Sequence, residues 1–405
     1  MTTTRTARVL GVLALAAAVV PQQAMAAGRT AHAERLPVPD HATITLHGRG
    51  YGHGHGLSQY GAEGAARQGL SARQIVHFYY PHTKAGTARS MVRVLITADT
   101  DDDTTVVAEP GISVRDLGAR TTTPLPTTGD AAAATRWRLS ANPDSGTDVS
   151  YLTDSWHVWT TLTGDGELQR KGGLSLVVGS GTVDYRGSLQ SRTPAGAKPG
   201  QRVTVNRVSM DSYVRAVVPR EMPASWHPAA LKAQAIAART YASYEVEHST
   251  NPLYQLCDTS LCQVYGGRSA EVASTDKAVA ATARQIRTFH GDAAFTQFSA
   301  SDGGWTSDGG EPYLVAQKDP YDGWSGNQVS PWTTRIKATT IEKKWPKLGR
   351  LRSISVDQRD GHGQWGGRVL QLTLGGSRRN LIISGDAFRI TLGLRSTWFD
   401  VAKAS

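Results

Sequence analysis

The chain has 405 residues, a formal net charge of +10 and 39% hydrophobic residues. That length allows two or three domains or one large body with a sizeable core. The longest apolar run is too short to cross a bilayer. No Lys/Arg run and no nucleic-acid motif accompanies the basic charge, so an anionic surface such as a cell wall is the expected partner and nucleic acid is not.

Residues 1 to 26 read as a secretory signal. Arg5 and Arg8 form a basic start, Val9 to Val20 an apolar centre, and Ala24-Met25-Ala26 a small-x-small cleavage site near Ala26. Cleavage would remove two of the positive charges and no acid, leaving a secreted or wall-located protein. The fold expected is α+β: a mixed, β-rich body with a few packed helices, one large domain carrying a β-rich insertion. Its parts are a lead-in over 27–41, a glycine/histidine segment with two helices over 42–86, a β-rich region over 87–182 and a catalytic core over 183–405.

Ala42 to Leu46 alternates like a strand. It runs into a loop with glycine at positions 48, 50, 52, 54 and 56. Glycine at that density permits positive φ and close approach of backbone to a ligand or to another backbone. The spacing does not fit a nucleotide-binding glycine loop. His53 and His55 read equally as a hydrogen-bonded structural loop and as the polar rim of a substrate cleft. Ser58 and Ser71 are candidate caps for two short helices, the second stopped by Pro81. Strand patterns follow from Val92 to Val205, interrupted by a Thr/Pro/Ala-rich stretch at 121–135 expected to be an exposed loop. Trp137, Trp156 and Trp159 are expected in core packing rather than sugar stacking.

The most informative stretch is Val217-Val-Pro-Arg-Glu-Met-Pro223. Pro219 and Pro223 each fix φ and restrict the preceding residue, so Glu221 is expected on a stiff, non-helical turn. Its neighbours Val217, Val218, Met222 and Trp226 are apolar, and burial raises a carboxyl pKa towards proton donation near neutrality. Arg220 would oppose that if it folded back on Glu221. Pro228 opens an alanine-rich helix. Its Lys232 and Arg239 share a face; on a helix lining the Glu221 cleft, Arg239 would bind substrate oxygens, and otherwise that face is solvated. Cys257 and Cys262 permit a local disulfide, the default in an exported chain, or a zinc site completed by His248 or His290. Further on, Ser299 and Ser301 lie in a Ser/Asp/Gly loop. No histidine is near them in sequence, which favours turn or ligand contact over nucleophilic roles.

Several stretches together resemble the SpoIID/LytB family, the stage II sporulation protein D and amidase-enhancer group. They are Asp184-Tyr-Arg-Gly-Ser188, Tyr213 to Trp226, Ala230 to Ala242, Cys262-Gln-Val-Tyr-Gly266, Ser301-Asp-Gly-Gly-Trp-Thr306, Leu392 to Phe399, and the Gly52 to Ala62 loop. Residues 87–180 match poorly. In the family the glycine/histidine loop usually follows the Ser-Thr-Trp-Phe end; here it precedes everything. A circular permutation is the simplest account, and it predicts Leu46 beside Trp398 to Val401. Asp302 stands where the family often has Ser.

The resemblance implies a lytic transglycosylase cutting peptidoglycan glycan strands between N-acetylmuramic acid and N-acetylglucosamine, with Glu221 as acid/base and no cofactor. Substrate contacts are expected from Gln234, Arg239, Tyr241, Tyr265, Ser299, Ser301, His53, His55, Gln59 and Tyr60. Competing expectations are a non-catalytic wall-binding or amidase-activating module, with a wall amidase as partner, and a metal-dependent wall hydrolase built on His53, His55, Cys257 and Cys262.

Overall fold

The computed structural model describes residues 34–88, 90–144, 146–179 and 181–405. The expected secretory signal at 1–26 lies outside the described residues. Seven α-helices are present among them: α1 (Gln59–Arg67), α2 (Ala72–Tyr79), α3 (Met210–Glu221), α4 (Pro228–His248), α5 (Ala273–Ala281), α6 (Ala338–Lys344) and α7 (Gly385–Leu392). Together with the sheets they form the mixed α+β fold. No helix among the described residues is long and apolar enough to cross a membrane.

The largest sheet has seven strands in the order Leu256–Cys257, Met91–Leu95, Val203–Ser209, Ser188–Arg192, Gly166–Gln169, Ser113–Asp116, Thr122–Pro124. It takes strands from both sides of the 182/183 boundary, so the β-rich region is built into the body. A six-stranded sheet of Trp156–Leu162, Thr147–Leu152, Arg136–Ala141, Thr104–Val107, Leu174–Val178 and Gly181–Tyr185 packs with it. One apolar core runs through both sheets and α1 to α5, from Leu57 to Leu314. A second core joins Val38 to Leu46 with Trp332 to Phe399. Trp137 is buried in the first core, with Trp159 edge-on against it at 5.9 Å. The 121–135 stretch is not a plain loop. Thr122–Pro124 adds the last strand of the large sheet, and Gly129–Ala133 forms a 3-10 turn that buries Ala131.

Leu46 lies beside the Trp398 to Val401 segment, as expected. Thr43–Gly48 lies between Trp332–Lys337 and Phe399–Ala404, with Leu46 opposite Val401 and Gly48 opposite Phe399. The glycine loop then runs along residues 297–307, with Tyr51 opposite Ser301 and Leu57–Ser58 parallel to Phe298–Ser299. The glycines answer to that backbone neighbour. A Cβ on Gly56, which has φ +63°, would lie 2.2 Å from the Gln297 carbonyl oxygen. One on Gly54, at φ +84°, would strike the Arg368 guanidinium.

Candidate functional site

Glu221 is the last residue of α3, not part of a non-helical turn. Pro219 sits inside the helix, where it removes one ladder donor. Pro223 sets the boundary instead: it drives Met222 to an extended conformation, φ −128° and ψ 145°, and Glu221 is left on the final turn. The negative end of the helix disfavours an ionised acid there.

The Glu221 side chain is half-buried and its surroundings are specific. Gln59, at the start of α1, donates its amide to Oε2 at 3.1 Å. The Val264 main-chain N–H donates to Oε1 at 3.3 Å. Burial pushes the carboxyl pKa up; these two hydrogen bonds pull it back and do not cancel the rise. Arg220 does not fold back on the acid: it is exposed, with its side chain running beside Gly266.

Three half-buried aromatic rings cluster around Tyr60, which follows Gln59 in the chain. Tyr60 meets Trp226 edge-on at 4.9 Å and Trp324 at 6.3 Å, and the Trp324 indole N–H donates to the Tyr60 carbonyl at 2.9 Å. Buried Glu63 ties the elements together. It accepts from the His227 N–H at 2.7 Å, just before α4, and from Arg67 at 2.8 Å. Trp324, Trp226 and the Val264 N–H were not among the expected contact residues. Trp226 lies inside a quoted motif, whereas Trp324 sits in a segment with no pattern to single it out.

The other expected contacts divide. Gln59 reaches Glu221, and Tyr60 follows it in the chain and packs against Trp226. Arg239 is a correction: it is 0% exposed, pairs with Asp211 at 2.8 Å, and donates to the carbonyls of Ala235, Gln285 and Val279. Those protein partners hold its guanidinium, so it does not bind substrate oxygens. Tyr265 is also internal, hydrogen-bonded to Asn206 at 2.6 Å and stacked on Tyr213. Gln234 is 0% exposed, with neither amide atom hydrogen-bonded among the described residues. Tyr241 is half-buried and stacks on Phe295 at 5.5 Å. Ser299 accepts from the Gly54 N–H, and Ser301 donates to Asp322 at 2.8 Å, so both secure the glycine loop and its neighbour. His53 is held near pKa 3, first by burial and then by His55 and Arg368. It accepts from the His55 N–H at 2.9 Å, while the His55 ring meets Gln297 at 3.0 Å.

Cys257 and Cys262 are disulfide-bonded, with Cα atoms 5.5 Å apart. The zinc alternative is therefore corrected: both thiols are consumed, and His248 is exposed and stacked on Tyr244. The His53/His55/cysteine hydrolase loses both its cysteine ligands for the same reason. A cavity of about 790 Å³ between α2, α4 and α5, lined by Arg73, Val76, Lys232, Ile236 and Arg287, does not include Glu221.

The arrangement is that of an α+β protein offering one partly desolvated carboxyl group at a helix end, between an amide donor and a main-chain donor. Residues 198–289, which hold α3, α4 and the disulfide, match the family described as stage II sporulation protein, SpoIID. The chain is 37% identical over 224 residues to the amidase enhancer of Bacillus subtilis, covering 47% of this chain and 30% of that one. It is 30% identical over 169 residues to stage II sporulation protein D of Bacillus subtilis, covering 36% and 47%. It is 31% identical over 182 residues to an uncharacterised protein of Brachyspira hyodysenteriae, covering 39% and 49%. Over these stretches the chain is similar to the SpoIID/LytB family. It spans about a third to a half of the length of these three relatives.

Proposed function

We propose that this is an extracytoplasmic, cell-wall protein that acts as a peptidoglycan lytic transglycosylase, with Glu221 as its acid/base. The observation that carries the reading is the Glu221 environment: a carboxyl raised by burial, yet oriented by Gln59 and Val264. A raised pKa keeps the proton available near neutrality, as a general acid requires.

Glu221 protonates the glycosidic oxygen as the bond from that oxygen to C1 breaks. The sugar's own 6-hydroxyl then attacks C1 and passes its proton to the Glu221 carboxylate, giving a 1,6-anhydro product and restoring the acid. No water is activated, so the paired carboxylates of ordinary glycosidases are not needed. Burial, Gln59 and Val264 account for the shift on Glu221, with no second carboxylate contributing. Tyr60, Trp226 and Trp324 offer ring faces for pyranose stacking.

The test is Glu221→Gln on purified wall. The variant is expected to fold and to release no anhydromuropeptides by mass spectrometry. Continued release at the wild-type rate removes the assignment. A second reading follows from the 37% identity to a protein named amidase enhancer: the chain stimulates a wall amidase. On that reading Glu221→Gln would still raise amidase turnover, and the wild-type protein alone would bind wall without shortening it.

A further inference from the structure

The cavity of about 790 Å³ between α2, α4 and α5 has no part in the proposed reaction. Val76, Ile236 and Ile286 give it apolar walls, and Arg73, Lys232 and Arg287 line it with three cations. No acidic residue among the described ones lines it. None of the three cations makes an ion pair among the described residues.

Arg287 is the most informative of them. It stands on the strand Gln285–Phe289 and is 7% exposed. Its Nε donates to the Thr83 hydroxyl at 2.9 Å and its Nη2 to the Thr83 carbonyl at 2.5 Å. Nη1 has no acceptor among the described residues. Thr83 is neutral, so the charge of the guanidinium is left uncompensated. Burial and then the cation of Arg73 pull its pKa down, with no acid acting against them. A buried cation without a counter-charge is costly. The start of α2 adds further donors. Ser71 and Gln74 close a capping box, which leaves the Ala72 and Arg73 N–H groups without an acceptor among the described residues. Free N–H groups at a helix start attract anions.

We propose that this cavity binds a phosphate-bearing polyol polymer of the cell wall. The cavity offers donors, and the charged groups of a phosphodiester chain are acceptors only. An acidic peptide would bring N–H donors of its own, and the Gln285 carbonyl on this wall is already taken by Arg239. The volume lies within the range of about 300 to 1,000 Å³ usual for ligand cavities and exceeds what a single phosphate ion fills. The cations come from three elements, α2, α4 and the Gln285–Phe289 strand, which suits successive phosphates rather than one. A cleft of one charge sign with low-dielectric walls concentrates counter-ions and strengthens their attraction. The inference goes beyond the cleavage reading and shares with it only the wall location.

The experiment uses full-length protein and a purified glycerol-phosphate oligomer at low salt, followed by titration calorimetry. Wild type is expected to bind, and to bind more weakly as salt rises. Arg73→Gln with Lys232→Gln is expected to weaken binding roughly tenfold or more. Lys343→Gln with Lys347→Gln removes the same charge from exposed positions at α6 and just after it, and is expected to bind like wild type. Inorganic phosphate, a tri-glutamate peptide and anionic phospholipid vesicles are each expected to bind more weakly than the oligomer. Should the first variant fail to fold, shielding of Lys232 from acetylation by the oligomer in wild-type protein decides instead. Equal losses in the two double variants would mean diffuse attraction to a basic surface and would overturn the proposal. So would no binding by wild type, an unshielded Lys232, or phosphate, peptide or vesicles binding as tightly as the oligomer. No readout involves glycan cleavage, so these results stand apart from the Glu221 assay.

Discussion

Replacing Gln59 with methionine tests the Glu221 site by chemistry rather than by deletion of the acid. The side chain is buried and of similar size, and its amide supplies one of two hydrogen bonds to the carboxylate, at 3.1 Å. A hydrogen bond to a charged group is worth about 1.5 to 3 kcal/mol, and the length points to the lower end. At about 1.4 kcal/mol per pK unit, Gln59→Met should raise the Glu221 pKa by roughly one further unit. The cleaving enzyme needs Glu221 protonated, so the alkaline limb of kcat/KM moves up in pH by that amount. The stability cost has its own signature. It is about 1.5 kcal/mol at pH values where Glu221 is ionised in the wild type, and it fades as the pH falls and the acid is protonated in both proteins. The assay is a pH profile of glycan cleavage beside urea unfolding at several pH values. An unmoved alkaline limb, or a stability loss independent of pH, would refute the reasoning.

Glu221→Gln should unfold at a higher temperature than wild type above neutrality. Burial raises the native pKa above its unfolded value, so ionisation costs stability at high pH and the gain from glutamine disappears in acid; a calorimetric series checks this, and a pH-independent difference counts against it. Asp211→Ala strips the counter-charge from fully buried Arg239. A loss of about 3 kcal/mol is expected, the low end for a broken buried pair because Asp211 is partly exposed; urea denaturation showing under 1 kcal/mol would mean the pair is not what satisfies Arg239. Replacing both Cys257 and Cys262 with serine opens a short loop, and chain entropy sets the cost at about 2 kcal/mol. Identical midpoints for wild type with and without reductant would contradict that figure.

Much of the site was legible because its signals are local. The apolar flanks of Glu221, the proline at 223 and the alanine-rich helix after Pro228 act over a few residues, and each appears in the structure. Reading Pro219 as a breaker failed because tertiary packing of α3 outweighed the loss of one helical hydrogen bond. The shared face of Lys232 and Arg239 misled for a related reason. Periodicity says which residues lie on one side of a helix, not what packs there, and α5 and the Gln285 strand cover Arg239.

The composition and motifs by themselves determined the α+β class, the acid at 221 as the group to watch, and Leu46 beside the Trp398 to Val401 segment. Only the folded chain decided that Gln59 reaches Glu221 across 162 residues, that Trp324 joins Tyr60 and Trp226, and that three buried aspartates from two segments lie together beside the cap of α1. Short-range chemistry is written in neighbouring residues, but a carboxyl group's partners and its desolvation depend on which distant segments close over it.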